Sequence, residues 1–282
     1  MKPRITLTGV DESTSADTLF RLAAHAEIGF LFTLNPEGRK RYPSLDWIRE
    51  NAMNATWVAL HVCGREARQM LVDPPDNCSM LFQRFQRIQV NGQVSEEELK
   101  RICAAYPLTE IITQHKGNDA LLKVPLPNHS ILVDASGGRG IRPAEWTKLE
   151  TYKKTGYAGG LGAENICDEW AKIRPLARIG CWLDMESKLR DANDSFSEER
   201  AVAVLKALNY EVDFPLALSA MPLLKLSREE WLKRCAARLM ERAALNAADA
   251  MGIAESNLES DPSALEESPE DIADEELSRW GE

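Results

Sequence analysis

Two segments of similar design decide the fold: Ser130-Ile-Leu-Val-Asp-Ala-Ser-Gly-Gly-Arg-Gly140 and Tyr157-Ala-Gly-Gly-Leu-Gly-Ala-Glu-Asn165. Each begins as a short apolar run, turns sharply in a glycine-rich stretch and leads into a helical pattern. The first run ends at Asp134, and the second ends at the Gly159-Gly160 pair. The carboxyl ends of the strands in a parallel α/β barrel form its active-site face. The two segments therefore predict βα units that present an acid and a tight turn at one edge of a sheet.

The same rhythm runs along the chain to about residue 209. Eight short apolar runs are candidate strands: 4–8, 29–33, 57–62, 87–91, 110–114, 130–134, 156–159 and 178–183. Helical patterns lie between them at 16–26, 44–54, 66–71, 95–105, 118–123, 144–154, 163–173 and 197–208. Eight strands with helices between them favour an α/β fold with a parallel sheet closed into a (βα)8 TIM barrel. An open, doubly wound parallel sheet is the rival architecture.

The chain after residue 209 follows a different pattern. Residues 210–251 are predicted to form a C-terminal helical extension, in which Ser227-Arg-Glu-Glu230 begins a long amphipathic helix that ends near Met251. This helix would pack on the barrel or on a second subunit, and the second alternative implies a homodimer. Residues 252–282 form an acidic tail, which we predict to be disordered. The predicted domains are therefore a barrel at 1–209, the extension and the tail.

Charge and composition exclude several classes of protein. From Met251 onward the chain has eleven Asp and Glu and one Arg, so this end carries the whole net charge of -10, and the other 33 basic and 33 acidic residues cancel. No basic stripe interleaved with aromatic residues is present, which argues against nucleic-acid binding. No apolar run is long enough for a membrane helix or a signal peptide, so a cytoplasmic protein without membrane contact is expected. The six irregularly spaced cysteines argue against a zinc site or a disulfide framework.

These motifs, in this order, resemble phosphoribosylanthranilate isomerase, a (βα)8-barrel family of tryptophan biosynthesis. That family has a strand-end Asp before a glycine-rich loop and, one unit later, an A-G-G-L-x-x-E-N turn. The matching residues here are Asp134 with the loop through Gly138 and Arg139, and the turn from Ala158 to Asn165. The resemblance covers about residues 4–208. It implies acid–base isomerisation of a sugar-derived or carbonyl compound, anion-binding loops at strands seven and eight, and no organic cofactor.

The resemblance places the general acid at Asp134. The family's general base is a Cys at the end of strand one, and Thr8 in Ile5-Thr-Leu-Thr-Gly9 occupies that place. Because a threonine hydroxyl is too weak a base to remove a carbon-bound proton, Asp11 is a candidate substitute. Asp11 could equally cap the helix that begins near Ser15. Asp184 is the third catalytic candidate, as an acid–base partner of Asp134.

Substrate-binding candidates lie at other strand ends. Arg41, in a turn that matches the family, could clamp a carboxylate or phosphate or simply belong to a polar loop. Asn91 stands where the family has a His, and together with Thr8 it would contact the substrate. Gly138, Arg139, Gly159 and Gly160 would bind through their loops. The strand-eight segment Cys181-Trp-Leu-Asp-Met-Glu186 departs from the family's small-residue turn, and a carboxylate there would repel phosphate.

The predicted mouth of the barrel is rich in acids. Four carboxylates would end strands or begin the following loops: Asp11, Asp134, Asp184 and Glu186. They could hold a divalent cation, which would be the only cofactor expected. They could instead pair with four basic residues: Arg41, Arg139, Lys188 and Arg190. His61, Cys63 and His115 also follow strands and have either proton-transfer or structural roles.

The sequence thus predicts a divergent phosphoribosylanthranilate isomerase-like enzyme that performs acid–base isomerisation, or related lyase chemistry, on a small sugar-derived or carbonyl substrate. The family's own tryptophan-pathway reaction is a narrower case of this prediction. Two alternatives stay open. One is a barrel that binds partners as a scaffold through the long helix and the acidic tail. The other is a metal-assisted enzyme that uses the acidic mouth.

Overall fold

The computed structural model describes residues 2–117, 119–134, 140–210, 228–243 and 245–260, together with 269, 272–273 and 276–277. The chain divides into two compact units, Met1–Phe214 and Pro215–Glu282. Within the described residues, no helix is both long enough and apolar enough to cross a membrane.

The first unit is a closed barrel of eight parallel strands in chain order. The strands are β1 Arg4–Val10, β2 Glu27–Phe32, β3 Val58–Val62, β4 Arg87–Val90, β5 Glu110–His115, β6 His129–Val133, β7 Thr155–Ala158 and β8 Trp182–Met185. Pairing of β8 with β1, in the register that places Asp184 beside Thr6, closes the sheet. The predicted (βα)8 barrel is confirmed, and the open sheet is excluded.

Seven helices surround these strands in the described part of the unit: α1 Ala16–Ala23, α2 Leu45–Asn51, α3 Arg65–Val72, α4 Asp76–Arg84, α5 Glu96–Ala105, α6 Ile166–Ile173 and α7 Glu198–Ala207. Serine side chains begin four of them by accepting a backbone N–H of the first turn: Ser15, Ser44, Ser95 and Ser197. Such caps satisfy N–H groups that have no partner within the helix.

The segment between β6 and β7 differs from its prediction. A helix was expected at 144–154, but residues 140–154 contain none. Instead, Thr151 Oγ1 donates to the Leu122 carbonyl at 3.0 Å, and Lys153 Nζ donates to the Val124 carbonyl at 2.7 Å. These side chain to backbone bonds hold the segment against the chain that follows β5, and they compete with helix formation.

Two further elements were misplaced by the sequence pattern. Strand β8 begins at Trp182 instead of residue 178, because Gly180 has a φ of +84°, outside the region that extended strands occupy. Helix α4 was not predicted, and it packs Phe82 and Leu81 into the core. The shift in β8 has a consequence for the site, because it places Asp184 inside the strand instead of after it.

The interior of the barrel is half apolar and half polar. An apolar cluster from β5 to β8 consists of Ile112, Leu132, Ala158 and Trp182. The buried polar residues on the remaining strands are Thr6, Thr8, Glu27, His61, Arg87 and Gln89. Bulky branched residues usually fill such barrels. Buried polar groups need hydrogen-bond partners, so the interior of this barrel is organised as two hydrogen-bonded networks, one near each end of the strands.

The network near the amino ends of the strands centres on Glu27. Its carboxylate accepts hydrogen bonds from Thr6 Oγ1 at 2.8 Å, Arg87 Nη1 at 2.6 Å and Arg4 Nη2 at 3.1 Å. The Arg87 guanidinium lies 4.0 Å from the centre of the Trp182 ring, a cation–π contact. Trp182 therefore belongs to this network, inside the barrel.

The second unit contains two helices, α8 Arg228–Ala243 and α9 Ala247–Ser260, which share an apolar cluster that includes Trp231, Leu239 and Ala254. One helix from 228 to about 251 was expected. The chain breaks instead at Asn246, whose side chain caps α9 by accepting the Asp249 N–H at 2.9 Å. Residues 252–260, the start of the predicted acidic tail, are helical, and most of the rest of that tail lies outside the described residues.

Candidate active site

A pocket opens at the carboxyl ends of the strands. Six residues predicted from the sequence line it: Asn91, Asp134, Gly159, Gly160, Asp184 and Glu186. Side chains from other strands and loops complete the lining, among them His61, Gln89, Gln114, Leu132, Ser187 and Lys188. The barrel thus brings together, on the face where TIM-barrel enzymes act, residues that are up to 127 positions apart in the chain.

Asp184 lies within β8 and is almost fully buried. The Thr8 hydroxyl donates a 2.6 Å hydrogen bond to its Oδ1. Burial raises the pKa of Asp184 to about 7, and the negative charge of Asp134 adds to this rise, while the hydrogen bond from Thr8 opposes it. Asp184 therefore populates both its protonated and its ionised form near neutral pH, which is the property of an efficient acid–base group.

Asp134 directly follows β6, as the sequence predicted, and it is buried with 3% of its surface exposed. Gln114 Nε2, from β5, donates to its Oδ2 at 3.0 Å. The other end of the Gln114 amide accepts the Gly92 N–H at 3.1 Å, so this side chain ties the rim of β4 to the carboxyl group on β6. Asp134 is thereby held in a defined position in the pocket that Asp184 also lines.

His61, on β3, is buried beside Asp184 but does not act as a cation. Burial lowers the pKa of His61 to about 3, so the ring is neutral at physiological pH. Gln89 Nε2 lies 3.1 Å from Nδ1, and Thr8 Oγ1 lies 3.5 Å from Nε2. With its amide nitrogen toward Nδ1, Gln89 fits a neutral ring that carries its proton on Nε2, and Nδ1 also lies 3.9 Å from Asp184 Oδ2.

Asp11 does not lie in the pocket, and its contacts argue against the predicted role as a base. Its Oδ1 accepts the backbone N–H and the hydroxyl of Ser13, at 3.0 and 2.5 Å. Its Oδ2 accepts Arg190 Nη2 at 2.6 Å and the Phe196 N–H at 2.9 Å. Because four donors occupy the four lone-pair positions of the carboxylate, Asp11 braces the loops after β1 and β8 and has no free site for a substrate proton.

Arg41 is engaged by acids of the same chain instead of being free to clamp a ligand. Its Nη1 bonds Glu186 and its Nη2 bonds Asp194, each at 2.6 Å. Burial raises the pKa of Glu186, and the charge of Arg41 opposes the rise. Pairing with a mouth carboxylate, one of the two alternatives for the acidic mouth, is therefore what the structure shows for Arg41 with Glu186 and for Arg190 with Asp11. Lys188 pairs instead with Glu164, at 2.8 Å.

Among the residues that the structure describes, no group of three or more His, Cys, Asp and Glu side chains is arranged to hold a metal ion. Asn91 contributes to a local polar chain, accepting from Gln89 Nε2 at 2.9 Å and donating to Cys63 Sγ at 3.1 Å. Gly138 and Arg139 lie outside the described residues.

The turn after β7 requires both of its glycines. Gly159 and Gly160 have φ values of +127° and +63°, and a Cβ on Gly160 would lie 2.7 Å from the backbone N of Arg142. Asn165 braces the turn, accepting the Gly162 N–H at 3.0 Å and donating to the Gly160 carbonyl at 2.8 Å. The Gly-Gly motif and its Asn therefore form one structural unit, against which the segment after β6 packs closely.

Two important residues of the site were not identified as such from the sequence. Gln114 positions Asp134, and Gln89 holds both His61 and Asn91. Their signal was present in the alternation of the strands, because Gln89 is two residues before Asn91 and therefore lies on the same face of its strand. The sequence pattern does not show which strand-end carboxyl a given amide will reach.

Solved structures similar to the barrel come from phosphoribosylanthranilate isomerases. The enzyme of Thermus thermophilus matches with a TM-score of 0.54 and 19% identity over 73% of this chain and 98% of that one. Monomers generated from the dimeric Thermotoga maritima enzyme match with a TM-score of 0.53 and 18% identity, with the same coverage. A phosphoribosylanthranilate isomerase in complex with reduced 1-(o-carboxyphenylamino)-1-deoxyribulose 5-phosphate matches with a TM-score of 0.52 and 17% identity, again over 73% and 98%.

No protein-family model matches the chain, and no curated protein sequence matches it. At identities below a fifth, the structural matches demonstrate a shared fold, since one barrel architecture hosts many chemistries. The chain is thus a (βα)8 barrel similar in structure to phosphoribosylanthranilate isomerases, and its function has to be argued from the residues of its own pocket.

Proposed function

We propose that this protein is an acid–base enzyme that isomerises a small polar carbonyl compound, with Asp134 and Asp184 as the proton-transferring pair. One observation carries the proposal: two buried carboxyl groups line a single pocket at the mouth of the barrel, and the charge of one raises the pKa of the other. Titratable groups with environments that separate their proton affinities are characteristic of acid–base sites.

The chemistry requires a proton to leave one carbon and another to reach a neighbouring atom. A base removes the proton beside a carbonyl or imine group, and an acid protonates the developing oxyanion or ring oxygen. Asp184 suits this exchange because its pKa of about 7 populates both forms at neutral pH. The negative charge of Asp134 that raises the pKa of Asp184 makes Asp184 the acid of the pair and leaves Asp134, which Gln114 holds in the pocket, as the base. The resemblance by itself would assign the acid to Asp134.

The lining of the pocket favours a substrate rich in hydroxyl groups. Three side-chain amides line the pocket, Gln89, Asn91 and Gln114, and amides can both donate to and accept from hydroxyl groups. The turn at Gly159-Gly160 also lines the pocket, and such turns bind anionic groups through their backbone N–H groups. These features support a sugar-derived substrate, and the ligand of the similar isomerase complex is a compound of this class.

The test is turnover and binding with matched variants. The wild-type protein is expected to bind reduced 1-(o-carboxyphenylamino)-1-deoxyribulose 5-phosphate in calorimetry, or to exchange solvent deuterium into one of a panel of aldose and ketose phosphates. Asp184→Asn and Asp134→Asn should each reduce the rate by about 100-fold or more, because acid–base catalysis contributes factors of about 10² to 10⁴. Asp168→Asn, at an exposed position on α6, is the control and should leave the rate unchanged. If the wild-type protein neither binds the reduced compound nor exchanges deuterium into any of the sugar phosphates, the proposal is refuted.

The two alternatives from the sequence are tested in parallel. A metal-assisted enzyme would lose its activity in EDTA, whereas the proposed enzyme keeps it. A scaffold would lose its partner on truncation near residue 226, inside the second unit, whereas the proposed enzyme retains ligand binding in its barrel.

A further inference from the structure

We infer that Thr8 is a positioning residue for Asp184: its hydroxyl holds the carboxyl group in place and sets the pH at which that group exchanges its proton. The inference rests on the proposed function for its catalytic meaning, but the geometry that carries it is independent of any substrate. Thr8 stands in the place of the base in the resembling family, and the structure gives it a different task.

The first observation is the contact itself. Strands β1 and β8 are neighbours that close the barrel, and the Thr8 and Asp184 side chains meet inside it with 2.6 Å between oxygens. Both residues are buried, so water does not compete for this hydrogen bond. A hydroxyl that donates to a carboxylate stabilises its ionised form, and the effect is larger in a dry site than at the surface.

The second observation is the direction of the hydrogen bonds. Thr8 Oγ1 is the donor to Asp184 Oδ1, so the single hydroxyl proton of Thr8 lies toward the carboxyl group. The neutral His61 ring lies beside both groups, with Nε2 3.5 Å from the Thr8 oxygen and Nδ1 3.9 Å from Asp184 Oδ2. The donated hydroxyl favours a negative charge on the carboxyl group.

The third observation is the space made for the side chain. Thr8 pairs with Gly29 of β2 in the barrel, and a Cβ on Gly29 would lie 2.4 Å from Thr8 Oγ1 and 3.0 Å from Thr8 Cα. The backbone φ of Gly29 is not in the left-handed region, so a glycine is not required there by conformation. A larger residue is excluded by Thr8, first by its hydroxyl and then by its Cα and Cβ atoms.

Other charged groups act on the same carboxyl and must be considered in any pH experiment. Asp134 and Glu27 oppose its ionisation, whereas Arg87 favours it, and the charge of Asp184 in turn acts on Glu186. His61 is neutral and contributes only its hydrogen bond. A variant that changes Thr8 alone leaves all these charges in place, so the effect of the hydroxyl can be separated from them.

The experiment is a titration of Asp184 in the full-length protein by ¹³C NMR of labelled aspartate carboxyl groups, with Asp184→Asn identifying the resonance. Thr8→Val replaces the hydroxyl with a methyl group of similar size, and the midpoint should rise by about one pH unit, the size expected from a hydrogen bond to a charged group. Thr8→Ser keeps the hydroxyl and should restore the wild-type midpoint. In the rate profile, the same shift should appear in kcat with little change in KM.

An unchanged midpoint in Thr8→Val would overturn the inference, and so would a Thr8→Ser midpoint that follows Thr8→Val. If Thr8→Val does not fold, Thr8→Ser and Gly29→Ala decide: serine should keep the midpoint, and alanine, which pushes the hydroxyl from its place, should raise it. The titration needs no substrate. A shifted midpoint in a protein without turnover would therefore count against the proposed function and leave the role of Thr8 standing.

Discussion

The two ends of the barrel interior each contain a buried carboxyl group, and the fold treats them in opposite ways. At the amino ends of the strands, Glu27 accepts hydrogen bonds from one hydroxyl and two arginines. At the carboxyl ends, Asp184 accepts one hydrogen bond from a hydroxyl group, and the charge of Asp134 opposes its ionisation. Burial alone does not make an acid reactive. The partners that neighbouring strands supply decide whether it becomes a structural anion or a group that exchanges its proton near neutral pH.

Removing Arg87, the buried cation of the amino-terminal network, should have the largest effect on stability. Arg87→Met leaves Glu27 as a buried charge without its closest partner and should lower the free energy of unfolding by about 3–5 kcal/mol. Urea denaturation measures this change. Arg4→Met is the matched control, because Arg4 bonds the same carboxylate but has 39% of its side chain exposed, and it should cost at most about 1 kcal/mol. If both variants lost the same free energy of unfolding, the buried Arg87–Glu27 pair would contribute no more than the exposed Arg4–Glu27 pair.

Asp184, at the mouth of the barrel, should instead make the free energy of unfolding depend on pH. The folded-state pKa of Asp184, about 7, is above the value of about 4 for an unfolded chain. The folded state therefore holds this proton more tightly. Its contribution to stability is complete below about pH 4 and is lost as the pH rises through 7. The difference in unfolding free energy between the wild type and Asp184→Asn should accordingly fall by about 3 kcal/mol between pH 5 and pH 8.

The difference between the wild type and Asp184→Asn is measured because the buried histidines change the free energy of unfolding with pH in the opposite direction. Burial lowers the pKa of His61 and of His129 to about 3. The free energy of unfolding that these neutral rings contribute is therefore lost as the pH falls below about 6.5, where the unfolded chain takes up protons. Their contribution is common to the wild type and the variant and cancels. A pH-independent difference would mean that Asp184 is an ordinary carboxyl group, and the comparison between the two ends of the barrel would fail.

The smallest effect should come from the ring that covers the amino-terminal network. Trp182→Phe keeps an aromatic face near the Arg87 guanidinium and should cost about 1 kcal/mol, since it reduces the cation–π contact and some packing. Trp182→Leu removes the aromatic face and should cost more. Thermal unfolding of the two variants measures the difference. If leucine were no worse than phenylalanine, the aromatic contact with Arg87 would contribute nothing measurable to stability.

Most of the architecture could be predicted from the sequence because it depends on local patterns. Short apolar runs of the right length, separated by amphipathic stretches, define eight βα units, and a serine before each acidic first turn marks where helices such as α5 and α7 begin. The position of Asp134 after β6 and of the Gly159-Gly160 turn after β7 followed from the same patterns. The failures were also local: Gly180 displaced the start of β8, and side chain to backbone bonds replaced the helix expected at 144–154.

The sequence by itself determined that the carboxyl ends of the strands form one face and that Asp134, Asp184 and the Gly159-Gly160 turn reach it, because the polarity of a parallel sheet places strand ends together. The tertiary structure decided what each polar residue does there. Asp11 is a brace because the fold brings it against Arg190, a residue 179 positions away along the chain. Asp184 is the candidate proton carrier because its partner, Thr8, 176 positions away, supplies one hydroxyl in place of a cation. The pKa of a buried acid depends on such distant partners, and closing the barrel is the step that brings them together.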